Sequence, residues 1–562
     1  MKYTSIFLTL LALMLSACKG VEEPPPVTDQ PTPSVDRREP HVRLLDMLRA
    51  NTEVLPPRLQ RVELFSMYNR EAPIPPQCYT KTEGTHNPCY VCHQDAIPGR
   101  ENQMNDFSLQ EAYKLSEIGA TNHWKNLFED RSQRVAAISD DAILQWINQD
   151  NYSELAGRLK QADFQGWIPD LKDLQLGAAA FDEEGFAKDG SQWVSFNYKP
   201  LPSTFWPTNG STDDVMIRLP QEFRTNAKGD YSRDVYKANL AIVEANIKGL
   251  KKIGSLLLDE RNVGEDLNGD RRLTRIDTVT KVAHFVGAAK DKKMEPYIFP
   301  LGTEFLHTVR YVGIAKNGDI YNAPRMKEVR YMQRWLEGDV AQMKHWYDIE
   351  NAEKGKGELP AYVNLGHQGL GSPMGWKLSG FIEDSKGRLR FNSFEENMFC
   401  MGCHNSIGST IDKTFSFARK VNGAKGWGYI NLKGMPDAPN MGEKKGEIAT
   451  YLERVGGGSE FRSNPEMQAR WYNPDGSVNQ QAVANAKDVY DLIAPSPARA
   501  LQLNKAYKVI VEDQTFIFGR DATVMPPTNV YAQVDTEKAP TLPPERQYKW
   551  DIRLDWPQGL TK

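Results

Sequence analysis

The sequence predicts a mainly α fold with extensive irregular loops and a few β-hairpins. Three observations predict it. Apolar residues recur at helical spacing over 108–118, 133–160, 233–258, 324–349, 441–454 and 479–493. Glycine (42) and proline (35) are numerous enough among 562 residues to demand many irregular loops. Hairpin signals occur at 311–321 around Asn317-Gly318-Asp319, at 380–391 around Ser385-Lys386-Gly387, and at 507–518.

Length allows two or three domains and a sizeable core. Hydrophobic residues make up 40% and charged residues 25%, as in soluble globular chains. The net charge of -4 gives no basic excess, so no nucleic-acid partner is expected.

The N-terminus carries an address. Lys2 precedes an apolar run over 6–15, too short to span a bilayer but long enough for an export signal. It ends in Leu15-Ser16-Ala17-Cys18, which resembles the bacterial lipobox. The resemblance implies a signal peptide over 1–17, cleavage before Cys18, and acyl chains on Cys18 that hold the protein to a lipid bilayer. The alternative is an ordinary secretory signal with Cys18 incidental. Residues 18–45 form a proline-rich tether. The expected location is the cell envelope. Lys19 is compatible with sorting to the outer membrane, on its periplasmic or outer face.

Six cysteines occur, and four of them fall into two five-residue motifs, Cys89-Tyr90-Val91-Cys92-His93 and Cys400-Met401-Gly402-Cys403-His404. This C-x-x-C-H spacing has a chemical reason. Each thiol adds across one vinyl group of a porphyrin, forming a C–S bond while the proton goes to the other vinyl carbon. The following His then reaches the iron as a nitrogen ligand. Two c-type haems are therefore expected, held by Cys89, Cys92, Cys400 and Cys403, with His93 and His404 as proximal ligands. A zinc site built from the two C-x-x-C pairs is the competing reading, but zinc does not require His directly after each pair. Three histidines are candidates for the sixth ligands; Met525 in Met525-Pro526-Pro527, which resembles the Met-Pro loop of small class I cytochromes c, is the methionine alternative, read first as a loop residue packing on a hydrophobic neighbour. His307 sits in the apolar run Thr303-Glu304-Phe305-Leu306-His307, His367 in the glycine-rich 366–371, and His86 three residues before Cys89. Cys78 is left over, best read as a buried inert thiol.

A twelve-residue segment starting at Asp266 matches a calcium loop. Oxygen ligands fall at Asp266, Asn268, Asp270, Thr274 and Asp277, with the Arg272 carbonyl at position 7. It departs from the pattern at position 6, where Arg271 replaces Gly, and at position 12, where Asp277 replaces Glu. A structural Ca2+ is expected there.

These features divide the chain into a first haem region (46–205), a middle region with the calcium loop (206–340) and a second haem region (341–562). The motifs and the lipobox resemble those of bacterial dihaem c-type cytochrome lipoproteins. Two haems flanking a calcium loop also resemble, distantly, the dihaem cytochrome c peroxidase superfamily, which includes the rubber oxygenases. That resemblance implies cytochrome-like haem regions, with one electron-transfer haem and one reactive haem. The expected function is electron transfer at the cell envelope, with redox proteins as partners. The alternative is a peroxidase or oxygenase with one open-coordinate haem. No residue is singled out as catalytic, and neither G-x-S-x-G nor H-E-x-x-H occurs to indicate a hydrolase.

Overall fold

Long antiparallel strands, rather than helices, form the centre of the molecule. The computed structural model describes residues 69–557 and 560, apart from 101–102, 203, 359–361, 405–414, 457–460 and 462. The signal segment, Cys18 and the tether lie outside the described residues. The strands are β1 (Val194–Ser195), β2 (Thr212–Arg218), β3 (Ile253–Asp259), β4 (Arg275–Val279), β5 (Glu304–Ile314), β6 (Ile320–Arg334), β7 (Val363–Asn364), β8 (Leu370–Gly371), β9 (Trp376–Glu383) and β10 (Leu389–Phe391). Eight of them form one sheet in the order β1-β2-β5-β6-β9-β8-β7, with β10 added to β9. β3 and β4 form a separate ribbon. The expectation of a mainly α, cytochrome-like fold is therefore wrong: helix accounts for 34% and strand for 17%, and the largest element is the sheet.

The error has a physical cause, visible in β6. Residues 324–349 look amphipathic because Arg325, Lys327, Glu328 and Arg330 alternate with apolar residues. In the structure Arg325, Lys327 and Glu328 are buried and Arg330 nearly so; Lys327 donates to Gly210 O, and the others are paired with opposite charges. Arg325 meets Glu383 at 2.8 Å, and Glu328 meets Arg330 at 2.9 Å and Arg520 at 2.8 Å. Partners remote in sequence make burial of charge affordable, so the strand continues through them. Only the end of the segment is helical, at Val340–Gly355, where Asp339 caps the first turn by accepting from Gln342 N.

Two hairpins form as the turn residues require. β5 and β6 join through Asn317-Gly318-Asp319, where Ala315 N–H bonds Asp319 O and Gly318 takes φ +86°. β9 and β10 join around Gly387. The hairpin expected at 507–518 is instead the helix Pro497–Asp513, capped by Ser496 and started by Pro497. Its apolar residues are buried on more than one face, which hides the helical period. The 233–258 segment splits: its helix Arg233–Lys248 stops at Gly249 (φ +66°), and the rest becomes β3.

The sheet draws β1 from the first haem region, β2, β5 and β6 from the middle region, and β7 to β10 from the second. One apolar cluster likewise joins Tyr90 and Val91 to Ile217, Val243, Phe417 and Ile552. Among the described residues, no helix is long and apolar enough to cross a membrane.

Candidate functional site

The two C-x-x-C-H motifs fold into the same turn. The first rides on the 3-10 helix Pro88–Val91, started by Pro88. The second rides on Phe399–Gly402, which continues the helix Phe394–Met398. In the first, Cys92 N–H and His93 N–H both reach Cys89 O, at 3.2 and 2.9 Å. In the second, Cys403 N–H and His404 N–H both reach Cys400 O, at 3.2 and 3.0 Å. Both turns are closed within five consecutive residues.

The residues between the cysteines anchor each turn. Tyr90 is buried against Tyr548 and Trp550, with ring centroids 5.1 and 5.9 Å away, and Trp550 donates its indole N–H to Tyr90 O. Gly402 abuts the Pro73–Pro75 segment. A Cβ there would lie 3.0 Å from Pro75 Cδ and 3.1 Å from Pro73 O. All five described cysteines are free thiols. Burial pushes the Cys89 and Cys403 thiols up to about 11.

Although 311 residues separate Cys89 from Cys400 in sequence, the motifs are neighbours. The short helix Pro76–Tyr79 stands between them. Its Cys78 is held well above the usual thiol range by burial first, then by the charges of Cys89 and Cys403. On one side lies a cavity of about 310 Å³, lined by Cys78, Cys89, Cys92, His93 and Gly402. On the other lies a chamber of about 110 Å³, lined by Gln77, Cys400, Cys403 and His404. The inert-thiol reading of Cys78 missed this position between the two motifs.

His93 is oriented by a residue that sequence reasoning passed over. Its Nδ1 lies 3.2 Å from Asp106 Oδ2, while Asp106 Oδ1 accepts from Gln94 N–H at 3.0 Å. Asp106 is buried. With the proton on Nδ1, this contact fixes the ring and leaves Nε2 as its nitrogen lone pair. A lone Asp thirteen residues after His93 leaves no sequence signal. The first cavity lies within the range of small-molecule and cofactor sites, ~300–1,000 Å³, and the second falls below it. The first motif therefore brings two thiols and one imidazole to a cavity of ligand-site size. The second matches it in the motif turn and is narrower.

The structure separates the three sixth-ligand candidates. His86 lies against Gly456, where a Cβ would come within 2.3 Å of its ring, and it lines neither cavity. His367 accepts from Gln165 N–H at 3.1 Å, stacks on Phe164 with centroids 4.6 Å apart, and also lines neither. His307 also lines neither cavity, but its neighbours reach the second chamber. It pairs across β5–β6 with Arg330, which lines the second chamber, and its Nε2 lies 3.2 Å from Asp213 Oδ2. The Phe205 ring, 5.0 Å from that of His307, forms part of the chamber wall.

No three Cys or His side chains among the described residues come close enough to share a zinc ion. The group of acids that does converge is Glu260, Asp266 and Asp270. It lies in the expected calcium loop, between β3 and β4. Asp266 accepts from Gly269 N–H and Arg271 N–H, and Asn268 Oδ1 accepts from Asp270 N–H. Arg271 takes φ +65°, the conformation for which glycine is usual at position 6. Asp277 is exposed on β4 and outside the group. Glu260, fully buried and six residues before the loop, joins it instead. Its Oε1 accepts from Leu267 and Asn268 N–H, and its Oε2 from Thr274 N–H, which ties the loop to the ribbon.

A family model described as "-like lipoprotein" matches residues 60–491. An uncharacterized lipoprotein of Aquifex aeolicus (strain VF5) is 31% identical over 518 residues, covering 81% of this chain and 86% of that protein. No solved structure matches. These matches, together with the sheet-centred fold, overturn the resemblance to dihaem c-type cytochromes and to the cytochrome c peroxidase and rubber oxygenase superfamily. The family matched is one of lipoproteins, and no cytochrome or peroxidase family is indicated.

Proposed function

The chain belongs to this lipoprotein family, anchored by lipid at the cell envelope, and we propose that within it the chain carries two covalently attached haems and passes electrons between redox proteins. One observation carries this reading: two C-x-x-C-H turns with the same hydrogen bonds, their thiols free, lying side by side. Cys89 and Cys92 would hold one haem, with His93 as its axial nitrogen. Cys400, Cys403 and His404 would hold the other. The bound groups would supply a one-electron couple. The chain's own work is to fix the ligand nitrogens, keep water from the buried thiol edge, and keep the two sites adjacent. Asp106 supports His93 by accepting from its Nδ1–H, which raises the basicity of the ligating nitrogen. The Glu260, Asp266 and Asp270 group would hold a structural Ca2+.

The test is a haem count on the purified, envelope-derived protein by pyridine haemochrome. Two haems per chain are expected. Changing Cys89 and Cys92 to Ala should leave one, and changing Cys400 and Cys403 to Ala should leave the other. A wild-type count of zero would overturn the reading.

The second reading is an enzyme with one open iron position. The small chamber at the second motif, with Lys327, Arg330 and Arg520 in its wall, favours it. Electron paramagnetic resonance separates the two. Two low-spin signals support electron transfer, and a high-spin signal that responds to peroxide supports the enzyme. His307→Ala should convert the second site to high spin if His307 is its sixth ligand.

A further inference from the structure

A cleft of about 370 Å³ lies between the turn end of the β5–β6 hairpin and the 429–433 segment. It falls within the ~300–1,000 Å³ of small-molecule sites, and no residue of either C-x-x-C-H motif lines it. Its walls carry four aromatic rings, those of Phe205, Tyr321, Tyr429 and Tyr490, with Leu176 and Leu432 beside them.

The rings are held in place. Tyr321 pairs across the hairpin with Gly313, and a Cβ on Gly313 would lie 2.7 Å from the Tyr321 ring, so one side of the ring rests on bare backbone. Its hydroxyl donates to Asn148 Oδ1 at 3.0 Å. Tyr321 is nevertheless 39% exposed, so the remainder of the ring faces the cleft that it lines. Tyr429 lies against Gly177 in the same way, and a Cβ there would lie 3.4 Å from its Cζ. The Tyr429 oxygen accepts from Asn322 Nδ2 at 2.8 Å and its hydroxyl donates to Asp214. The Tyr490 oxygen accepts from Ile320 N–H at 2.7 Å. Rings fixed in this way have little rotamer freedom left to lose when a ligand stacks on them.

Phe205 links the cleft to the second motif. It takes φ +56°, a strained conformation for a residue with a ring, and such strain clusters at functional sites. Its side chain lines both this cleft and the chamber of Cys400, Cys403 and His404. A ligand in the cleft therefore sits one ring away from that chamber.

The polar groups narrow the ligand. Two charged side chains line the cleft, and both are engaged. Lys433 meets Asp319 at 2.6 Å, and buried Asp213 accepts from the Tyr198 hydroxyl and meets His307. The amides of Asn322 and Asn431 are the neutral polar groups beside the rings. Leu176, 58% exposed, carries the apolar wall out to solvent. A flat, uncharged ring bearing oxygen substituents matches this lining: its face stacks on the tyrosines and its oxygens meet the amides.

We propose that this cleft binds a small uncharged aromatic molecule of the phenol or quinone class, stacked on Tyr321 with its oxygens toward Asn322 and Asn431. The binding does not depend on haem at either motif; only the spectral readout below rests on the proposed function.

The test is calorimetric titration of the full-length protein with naphthol and menadione, and with cellobiose as a saccharide probe. Wild type should bind at least one aromatic probe one-to-one. Tyr321→Ala should weaken that binding about tenfold, and Tyr321→Phe, which keeps the ring, should retain it. Melting curves check folding; should Tyr321→Ala not fold, Tyr321→Leu covers Gly313 without an aromatic face and takes its place. Leu301→Ala, at the rim of a different cavity, should bind as wild type does. Binding of cellobiose alone, binding of no probe, or aromatic binding that is indifferent to loss of the Tyr321 ring would each overturn the proposal. In haem-loaded protein the bound probe should perturb the visible band of one haem, and Cys400→Ala with Cys403→Ala should abolish that response. The haem count is measured separately, so a haem-free chain that binds naphthol refutes the haem reading and keeps the site, while a haem-loaded chain that binds no probe does the reverse.

Discussion

Asp106→Asn and Asp106→Ala make the sharpest test of the first motif. Asp106 is buried and accepts twice, from Gln94 N–H at 3.0 Å and from His93 Nδ1 at 3.2 Å. Hydrogen bonds to charged groups contribute ~1.5–3 kcal/mol each, and a buried amide left unpaired costs ~1–3 kcal/mol. Asp106→Ala should therefore lose roughly 3 kcal/mol. A chain of 562 residues has an unfolding entropy of about 1 kcal/mol per kelvin by per-residue averages, so the midpoint should fall by ~3 °C. Asp106→Asn keeps an acceptor for Gln94 and should lose less than half of that. Its larger effect is electrochemical. The carboxylate stabilises positive charge on the imidazole and on any metal it ligates. If it favours the oxidised state by ~1 kcal/mol, its loss raises one midpoint potential by about 40 mV, since 59 mV corresponds to ~1.4 kcal/mol for one electron. Potentiometric titration followed in the visible band reads this directly. If both potentials in Asp106→Asn stay where they are in wild type, Asp106 does not support a metal ligand and the reasoning about His93 fails.

Three further outcomes are expected. Asp266→Ala and Asp270→Ala should lower the melting temperature of the Ca2+-loaded protein, and chelator should bring wild type down to the variants. A wild-type curve indifferent to chelator would remove calcium from the account. Lys327, whose ammonium burial brings down from 10.5 to about 7, gives a pH signature. Between those values the unfolded chain holds the proton that the folded chain has lost. Wild type should therefore gain stability over Lys327→Met as pH rises from 7 towards 10, by at most ~1.4 kcal/mol per unit, and a flat difference would contradict the burial. Gly402→Ala should cost roughly 1–3 kcal/mol, read by denaturant unfolding, because its Cβ would press on Pro73 and Pro75 across the partition between the motifs. A neutral effect would mean that the second turn is not wedged there.

Much of the candidate site was legible because its chemistry is local. The calcium loop was partly legible: Asp266 and Asp270 converge as the spacing implies. Asp277 does not, because β4 carries it away, and Glu260 replaces it from outside the pattern. The sheet was the least legible part. Buried charged residues such as Arg325 and Glu328 read as a solvated helix face until their partners are known, and those partners lie 58 and 192 residues away.

By itself the sequence showed the lipobox-like run ending at Cys18 and the two C-x-x-C-H motifs, Cys89, Cys92, His93 and Cys400, Cys403, His404, from which the proposed haem attachment is argued, because each is a pattern of a few consecutive residues. Only the tertiary structure decided that the two motifs adjoin beside Cys78, that Asp106 meets His93, and that Lys327, Arg330 and Arg520 gather at the chamber of the second motif. Each of these depends on contacts between residues far apart in the chain. Such contacts become favourable only after the sheet has covered the loss of chain entropy and supplied every buried charge with a partner.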